Sequence, residues 1–395
     1  MNRTEKDVIE IIKEFISGKE AKISENPDWL AIFLEMRSQA VAPLGYDIYK
    51  KYRASEFDPV LDQKWSQNKF SQVNSWYYLL EAQQELVDLL SEAGYDFAIM
   101  KGIANAVFYP TPELRKSGDI DFLVRWNQYQ EVYEFLLKNG YELKEEQEED
   151  KHHLILTKHN VIFELHRRPG GTKLDDSPET KALNQFFEEG IDEVEIIRFG
   201  EYSFPVLPVL QNGIMLLVHF AGHMRGGVGF RHLLDWMVYV KEYLTDQYWK
   251  DSFSDAAERA GLNELAKVMT KTCQRCFGLN SGLTWCRDAD KDLCKKFLEF
   301  LVVQGDFGTK AKNDEEVKVL TEASSLKRGF NKLYVSSLYS LPAARDYYIL
   351  RPAALVYQLL RYVVRGLKMK NPAKTLRKSK MISDERRDMF FRLRV

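Results

Sequence analysis

The sequence predicts an α+β protein, a mixed β-sheet with flanking helices set between N-terminal and C-terminal helical regions. Two observations carry this expectation. The apolar period changes from helical to strand-like near residue 93 and back near residue 208. Between those points, short apolar runs alternate with two helical stretches and several turns. Apolar residues make up 45% and aromatics 13% of the 395 positions, enough for sizeable cores.

In chain order, VIEIIKEFI and WLAIFLEM space their apolar residues three and four apart. PVLDQKWSQNKFSQVNSWYYLLEAQQELVDLLSEAG reads as one long helix ending at Gly94, so residues 1–92 form an N-terminal helical region. FAIM, 97–100, is a short strand closing on Lys101-Gly102, followed by a helix over 103–109 and a loop, PTPELRKSG. DIDFLV is a strand beginning at Asp119, and NQYQEVYEFLLKNG is a helix with a terminal glycine. YELKEE, HHLILTK and VIFELHR are strands, the last two joined at His159-Asn160. With VEIIRF and SFPVL, they complete an α/β domain over 93–207.

VLQNGIMLLVHFAGHM and RHLLDWMVYVKEYL open a helical domain over 208–305. Residues 306–370 hold a polar linker, GDFGTKAKNDEE, and C-terminal helices including AALVYQLLRYVVRGLKMK. Residues 371–395 form a basic tail. The net charge of −2 hides an asymmetry, because Arg361 to Val395 holds twelve Lys and Arg against three Asp and Glu. Such a tail is either a solvated helix end or a contact for an acidic partner, nucleic acid or anionic membrane surface. No apolar run reaches transmembrane length, and MNRTEKDVIEIIKEF lacks a signal-peptide core, so a cytoplasmic location is expected. Cys273 and Cys276 form a lone CQRC in a helical stretch, without the second pair of a zinc ribbon.

Asp119 and Asp121 carry the chemistry. Two apart on a strand, they share a face, and adjacent carboxylates repel unless a cation separates them. A hard, oxygen-preferring ion such as Mg²⁺ suits that gap. Glu164, in VIFELHR, supplies a third carboxylate if its strand neighbours DIDFLV. Three carboxylates around one point are what two-metal phosphoryl transfer requires. The alternative is that Asp119 caps the loop and Asp121 faces solvent.

Lys101-Gly102, then LRKSGDIDFLV and FELHRR, resemble the polymerase-beta-type nucleotidyltransferase superfamily, and within it a group of uncharacterised bacterial nucleotidyltransferases. The close resemblance covers about residues 93–170, and a weaker one extends into LVHFAGHMRGGVGFRHLLDW. It implies a nucleotidyltransferase-like fold and Mg²⁺-dependent transfer of a nucleoside monophosphate from an NTP to a hydroxyl. Two Mg²⁺ ions would serve, with Mn²⁺ as a substitute, and the acceptor (protein, RNA, small molecule or glycan precursor) is left open. Asp119, Asp121 and Glu164 would be the metal ligands and catalytic carboxylates. Gly102 would let the backbone approach the triphosphate, and Lys101, Arg115 and Ser117 would contact phosphate. Where the wider superfamily has Gly or Ser after this glycine, Ile103 offers only backbone, which motivates an alternative: a binding or regulatory protein of the same fold without turnover.

Several residues have double readings. His166 shares the face of Glu164 and either contacts phosphate or acceptor, or hydrogen-bonds at the sheet edge. Arg167 and Arg168 read as surface charges, and His152 and His153 as histidines without a partner at ligand spacing. His219 and His223, four apart on a helix, have the spacing to share a metal, but with Arg231 and Asp235 a polar helix–helix network is the expectation, and a base- or acceptor-contacting wall of the active cleft the alternative. GGVG, 226–229, reads as a turn between helices.

Overall fold

The structure, a computed structural model, describes residues 1–53, 57–144, 153–169, 178–224, 226–280, 282–306, 309–310, 334, 337, 348–367 and 384–395. Residues 1–309 with 393–395 form one compact unit, and 310–392 a second. In the second unit the long element is the helix Arg351–Leu367. Most of the expected polar linker and the first half of the basic tail lie outside the described residues. Among the described residues, no helix is long and apolar enough to cross a membrane.

The N-terminal region is helical as expected, with α1 Arg3–Ser17, α2 Trp29–Ser38, α3 Ala42–Tyr52 and α4 Pro59–Glu92. Asp58 caps α4 by accepting hydrogen bonds from Val60 and Leu61, and Pro59 presets the first turn. The buried stripe of α4 has two halves. Trp65 stacks on Tyr49 at 4.9 Å and meets Phe33 at 5.1 Å, in the helical region. Trp76, Leu79, Leu80, Leu86, Val87 and Leu90 belong instead to the core beneath the sheet.

The sheet comprises β1 Phe97–Met100, β2 Ile120–Val124, β3 Glu142–Leu143, β4 His153–Lys158, β5 Val161–His166, β6 Glu195–Phe199 and β7 Tyr202–Val206. Their spatial order is β3-β4-β5-β2-β1-β7-β6. The sheet is mixed: β2 pairs with β5 and β1 with β7 in parallel, and the other pairs are antiparallel. Alternation sets which side chains meet. Phe97 and Ile99, Ile120, Phe122 and Val124, Phe163 and Leu165, and Phe204 and Val206 join the core shared with α4. The intervening residues, Asp121, Glu164 and His166 among them, therefore share the opposite face.

α5 Gly102–Ala106 is shorter than expected, and a 3-10 turn at Pro112–Leu114 interrupts the loop before β2. Asp119 lies one residue before β2 rather than within it. After α6 Tyr129–Lys138 and the β4–β5 hairpin comes α7 Pro178–Asp192, a helix the strand-centred reading did not expect. The helical region that follows contains α8 Val209–Met224, α9 Phe230–Tyr243, α10 Asp246–Tyr248, α11 Ser254–Arg259, α12 Asn263–Cys276 and α13 Lys291–Gln304. GGVG connects α8 to α9, as expected for a turn. Cys273 is buried on α12 and carries no disulfide.

Candidate active site

The carboxylates meet through strand register. In the parallel β2–β5 pair, Asp121 stands opposite Glu164, and on the other flank Met100 of β1 stands opposite Asp121. The chain leaves β1 through two successive residues of positive φ, Lys101 at 53° and Gly102 at 29°. Gly tolerates such a bend and Lys does so at a cost, so the sharp exit is held by its surroundings. It delivers the Lys101 ammonium to Asp121, with Nζ donating to Oδ1 at 2.6 Å. His166 Nε2 lies 2.9 Å from the same Oδ1 and 3.3 Å from Glu164 Oε2, so one ring nitrogen bridges two carboxylates. Lys101, Asp121 and His166 are 7%, 5% and 1% exposed.

Burying charges is tolerable only when they are paired and hydrogen-bonded, and this group is built that way. Burial works to raise the Asp121 carboxyl, yet the Lys101 ammonium and His166 hold it well below the usual carboxylate range. Burial and Lys101 work to lower His166, but its bonds to Asp121 and Glu164 leave it raised. Lys101 is raised despite burial by Asp121, Glu164 and Asp119. Asp119 behaves differently. Burial, followed by the charges of Asp121 and Glu164, pushes its carboxyl up to about 6. An added cation beside Asp119 would oppose both causes, the burial and the acidic neighbours. Asp119, Asp121 and Glu164 are oxygen donors of the type a hard divalent ion takes, while among the described residues the ligand atoms that gather within 4.8 Å at this edge are those of His153, Glu164 and His166.

Other expected site residues are placed less simply. Arg115 is buried and commits its guanidinium to Asp235 of α9, with Nη2 donating to Oδ2 at 2.6 Å and Nε to Oδ1 at 3.1 Å. Its Nη1 also donates to the Ser117 hydroxyl at 2.6 Å. Tyr109 donates to Asp235 at 2.8 Å. Arg115 and Ser117 thus fasten the loop before β2 to α9, a role the sequence did not suggest. Ile103, whose side chain stood out against the wider pattern, is 2% exposed and belongs to the core shared with α4. It is there to pack.

Two expectations need correction. His153 has partners after all, because it stands opposite His166 across the β4–β5 ladder. The rings lie 4.8 Å apart, with His153 Nε2 3.8 Å from Glu164 Oε2. Strand pairing creates that contact, and spacing along the chain cannot reveal it. His152 lies outside the described residues. Arg168 is buried rather than a surface charge, with its guanidinium 4.6 Å from the Trp126 ring centre, and Arg167 lies 5.4 Å from the same ring.

On the helical side, His219 and His223 of α8 do form a polar helix–helix cluster, but with His232 rather than Asp235. Asp306 takes the carboxylate position, 3.2 Å from His232 Nδ1 and 3.5 Å from Arg231 Nε. Neither His232 nor Asp306 stood out in the sequence. The phase between α8 and α9 that brings His232 across is set by packing.

Comparison with known proteins agrees with this architecture. No curated protein matches the chain significantly. A family model described as uncharacterised nucleotidyltransferase matches residues 25–278, which spans the last N-terminal helices, the whole sheet and the histidine-bearing helices. The chain belongs to this uncharacterised nucleotidyltransferase family.

Proposed function

We propose that the protein is an active nucleotidyltransferase, moving a nucleoside monophosphate from an NTP to a hydroxyl of an acceptor, with Mg²⁺ held by Asp119, Asp121 and Glu164. The observation that carries this reading is the β2–β5 register, which sets Asp121 against Glu164 with Asp119 one residue before the strand. Bound there, divalent cations would neutralise the phosphates and the charge developing on pyrophosphate.

The chain's own residues do the rest. Lys101 supplies a buried positive charge beside the carboxylates and, after Asp121 is otherwise neutralised, a donor for phosphate oxygen. Glu164 would accept the proton of the attacking hydroxyl, and His166 Nε2, 3.3 Å from its Oε2, supports that carboxylate. The bend at Lys101-Gly102 keeps side-chain bulk out of the approach to the backbone, since Gly102 has no Cβ. Positioning and charge complementarity are the main contributions a protein makes to phosphoryl transfer.

A second reading keeps the fold as a nucleotide-binding or regulatory module, and it draws on the saturation of Asp121 by Lys101 and His166. One experiment separates the two. Wild type and the D119N/D121N double variant are titrated calorimetrically with each Mg-NTP, and pyrophosphate release is followed with protein, RNA, sugar and small-alcohol acceptors. Wild-type binding and release, both lost in the variant, are the expected result. Binding without release in any mixture favours the regulatory module. Equal binding by wild type and variant, without release, overturns the metal-carboxylate assignment.

A further inference from the structure

The second group of convergent side chains lies outside the carboxylate edge. His219 and His223 occupy successive turns of one face of α8, and His232 reaches them from α9. The ring centres are 4.3 Å apart for His219 and His223, and 5.3 Å from each of these to His232. One nitrogen from each ring can be chosen so that all three lie within 4.8 Å of one another.

We propose that His219, His223 and His232 form a binding site for a first-row transition-metal ion of the Zn²⁺ class, separate from the carboxylate site. Imidazole nitrogens suit such ions and discriminate against Mg²⁺, which prefers oxygen. Two nitrogens on one tetrahedral Zn²⁺, each at about 2.0–2.1 Å, stand about 3.3 Å apart, so modest ring rotations close the observed triangle. Three protein ligands leave a fourth position for water or another oxygen donor, the pattern of open zinc sites.

One further feature favours a ligand over simple ring packing. Asp306 Oδ1 lies 3.2 Å from His232 Nδ1, which favours the tautomer with its proton there and its lone pair on Nε2. A carboxylate behind a histidine is the common support for a metal-binding imidazole. Arg231 Nη2 lies 3.3 Å from that Nε2, so an incoming ion must displace this guanidinium. Its Nε already lies 3.5 Å from Asp306, so Arg231 has a carboxylate to retain when displaced.

The site shares no ligand with Asp119, Asp121 and Glu164, although the Lys101 charge reaches His219 and His223, so D119N tests whether metal loading and nucleotidyl transfer fail separately. A rival group, His153, Glu164 and His166, lies at the sheet edge and provides the discriminating control. Full-length protein stripped by chelator is dialysed against Zn²⁺, and bound metal is measured by mass spectrometry, with circular dichroism as a folding check. Wild type and D119N should retain about one Zn²⁺ per chain. H219Q and H223Q should fall to background, and D306N should bind about 10- to 100-fold more weakly. Wild type without retained zinc, or zinc lost in H153Q and kept in H223Q, overturns the site. If the histidine variants fail to fold, Co²⁺-loaded wild type decides. Intense visible bands of a four-coordinate nitrogen site support the proposal, and the weak bands of a six-coordinate ion overturn it.

Discussion

The sheet edge and the helical histidine cluster solve opposite electrostatic problems within one compact unit. At the edge, Asp121 and Glu164 are brought together by strand register, and Lys101 and His166 offset their charge at hydrogen-bond distance. At the cluster, three imidazoles converge, and Asp306 lies 3.2 Å from His232. Oxygen donors suit a hard ion, and imidazole nitrogens suit a borderline one. If both proposals hold, the contrast teaches that donor type alone can direct two different cations to two places in one unit.

The tie between these regions is Arg115, which links the loop before β2 to Asp235 on α9. Breaking it is the harshest test of whether the two regions depend on each other. Arg115→Met leaves Asp235 buried without its partner, and should cost about 3–5 kcal/mol of stability in urea unfolding. The pair also predicts a pH dependence. Although burial raises it, the Asp235 carboxyl is lowered by Arg115 in the folded protein. Its contribution is therefore present above the unfolded carboxylate value of about 3.9 and is lost as pH falls through the lower folded value. D235N should remove that part of the acid limb. Unchanged stability in Arg115→Met would mean the regions hold their geometry independently.

The next effect in size concerns the carboxylates alone. D119N removes an oxygen ligand and the surplus charge while leaving the Lys101–Asp121–His166 group intact. We expect transfer to fall by about 10²- to 10³-fold, or about 2.7–4 kcal/mol of transition-state stabilisation, with zinc retention unchanged. Loss of both properties in D119N would collapse the two sites into one and end the comparison.

How much of this was legible depends on distance along the chain. Strands and helices with clean periods, such as FAIM and VLQNGIMLLVHFAGHM, lie where the pattern puts them. The pairing of Asp121 with Glu164 could be stated only as a condition, because register is a property of two strands. The partners of Arg115 and His153 were hidden for the same reason: Asp235 is 120 positions from Arg115, and His166 meets His153 only through the ladder. His219 and His223 were visible from spacing on one helix, but His232 required the angle between two helices, which no local pattern encodes.

Ile103 gives the smallest and most selective test. By sequence it stood where a small residue would hold phosphate, and so invited a reading without catalysis. In the fold it belongs to the core with Ile99, Ile120 and Phe122, beneath the bend that carries Lys101 and Gly102. If packing is its whole role, Ile103→Val should cost about 0.5–1.5 kcal/mol in urea unfolding through one lost methylene. Mg-NTP affinity, measured by calorimetry, should not change, because the backbone N–H at that position survives the substitution. A stability loss of this size with affinity intact assigns Ile103 to the core and removes its weight from the non-catalytic reading. A weakened affinity at unchanged stability would return Ile103 to the phosphate site and show that the bend is tuned by the side chain below it.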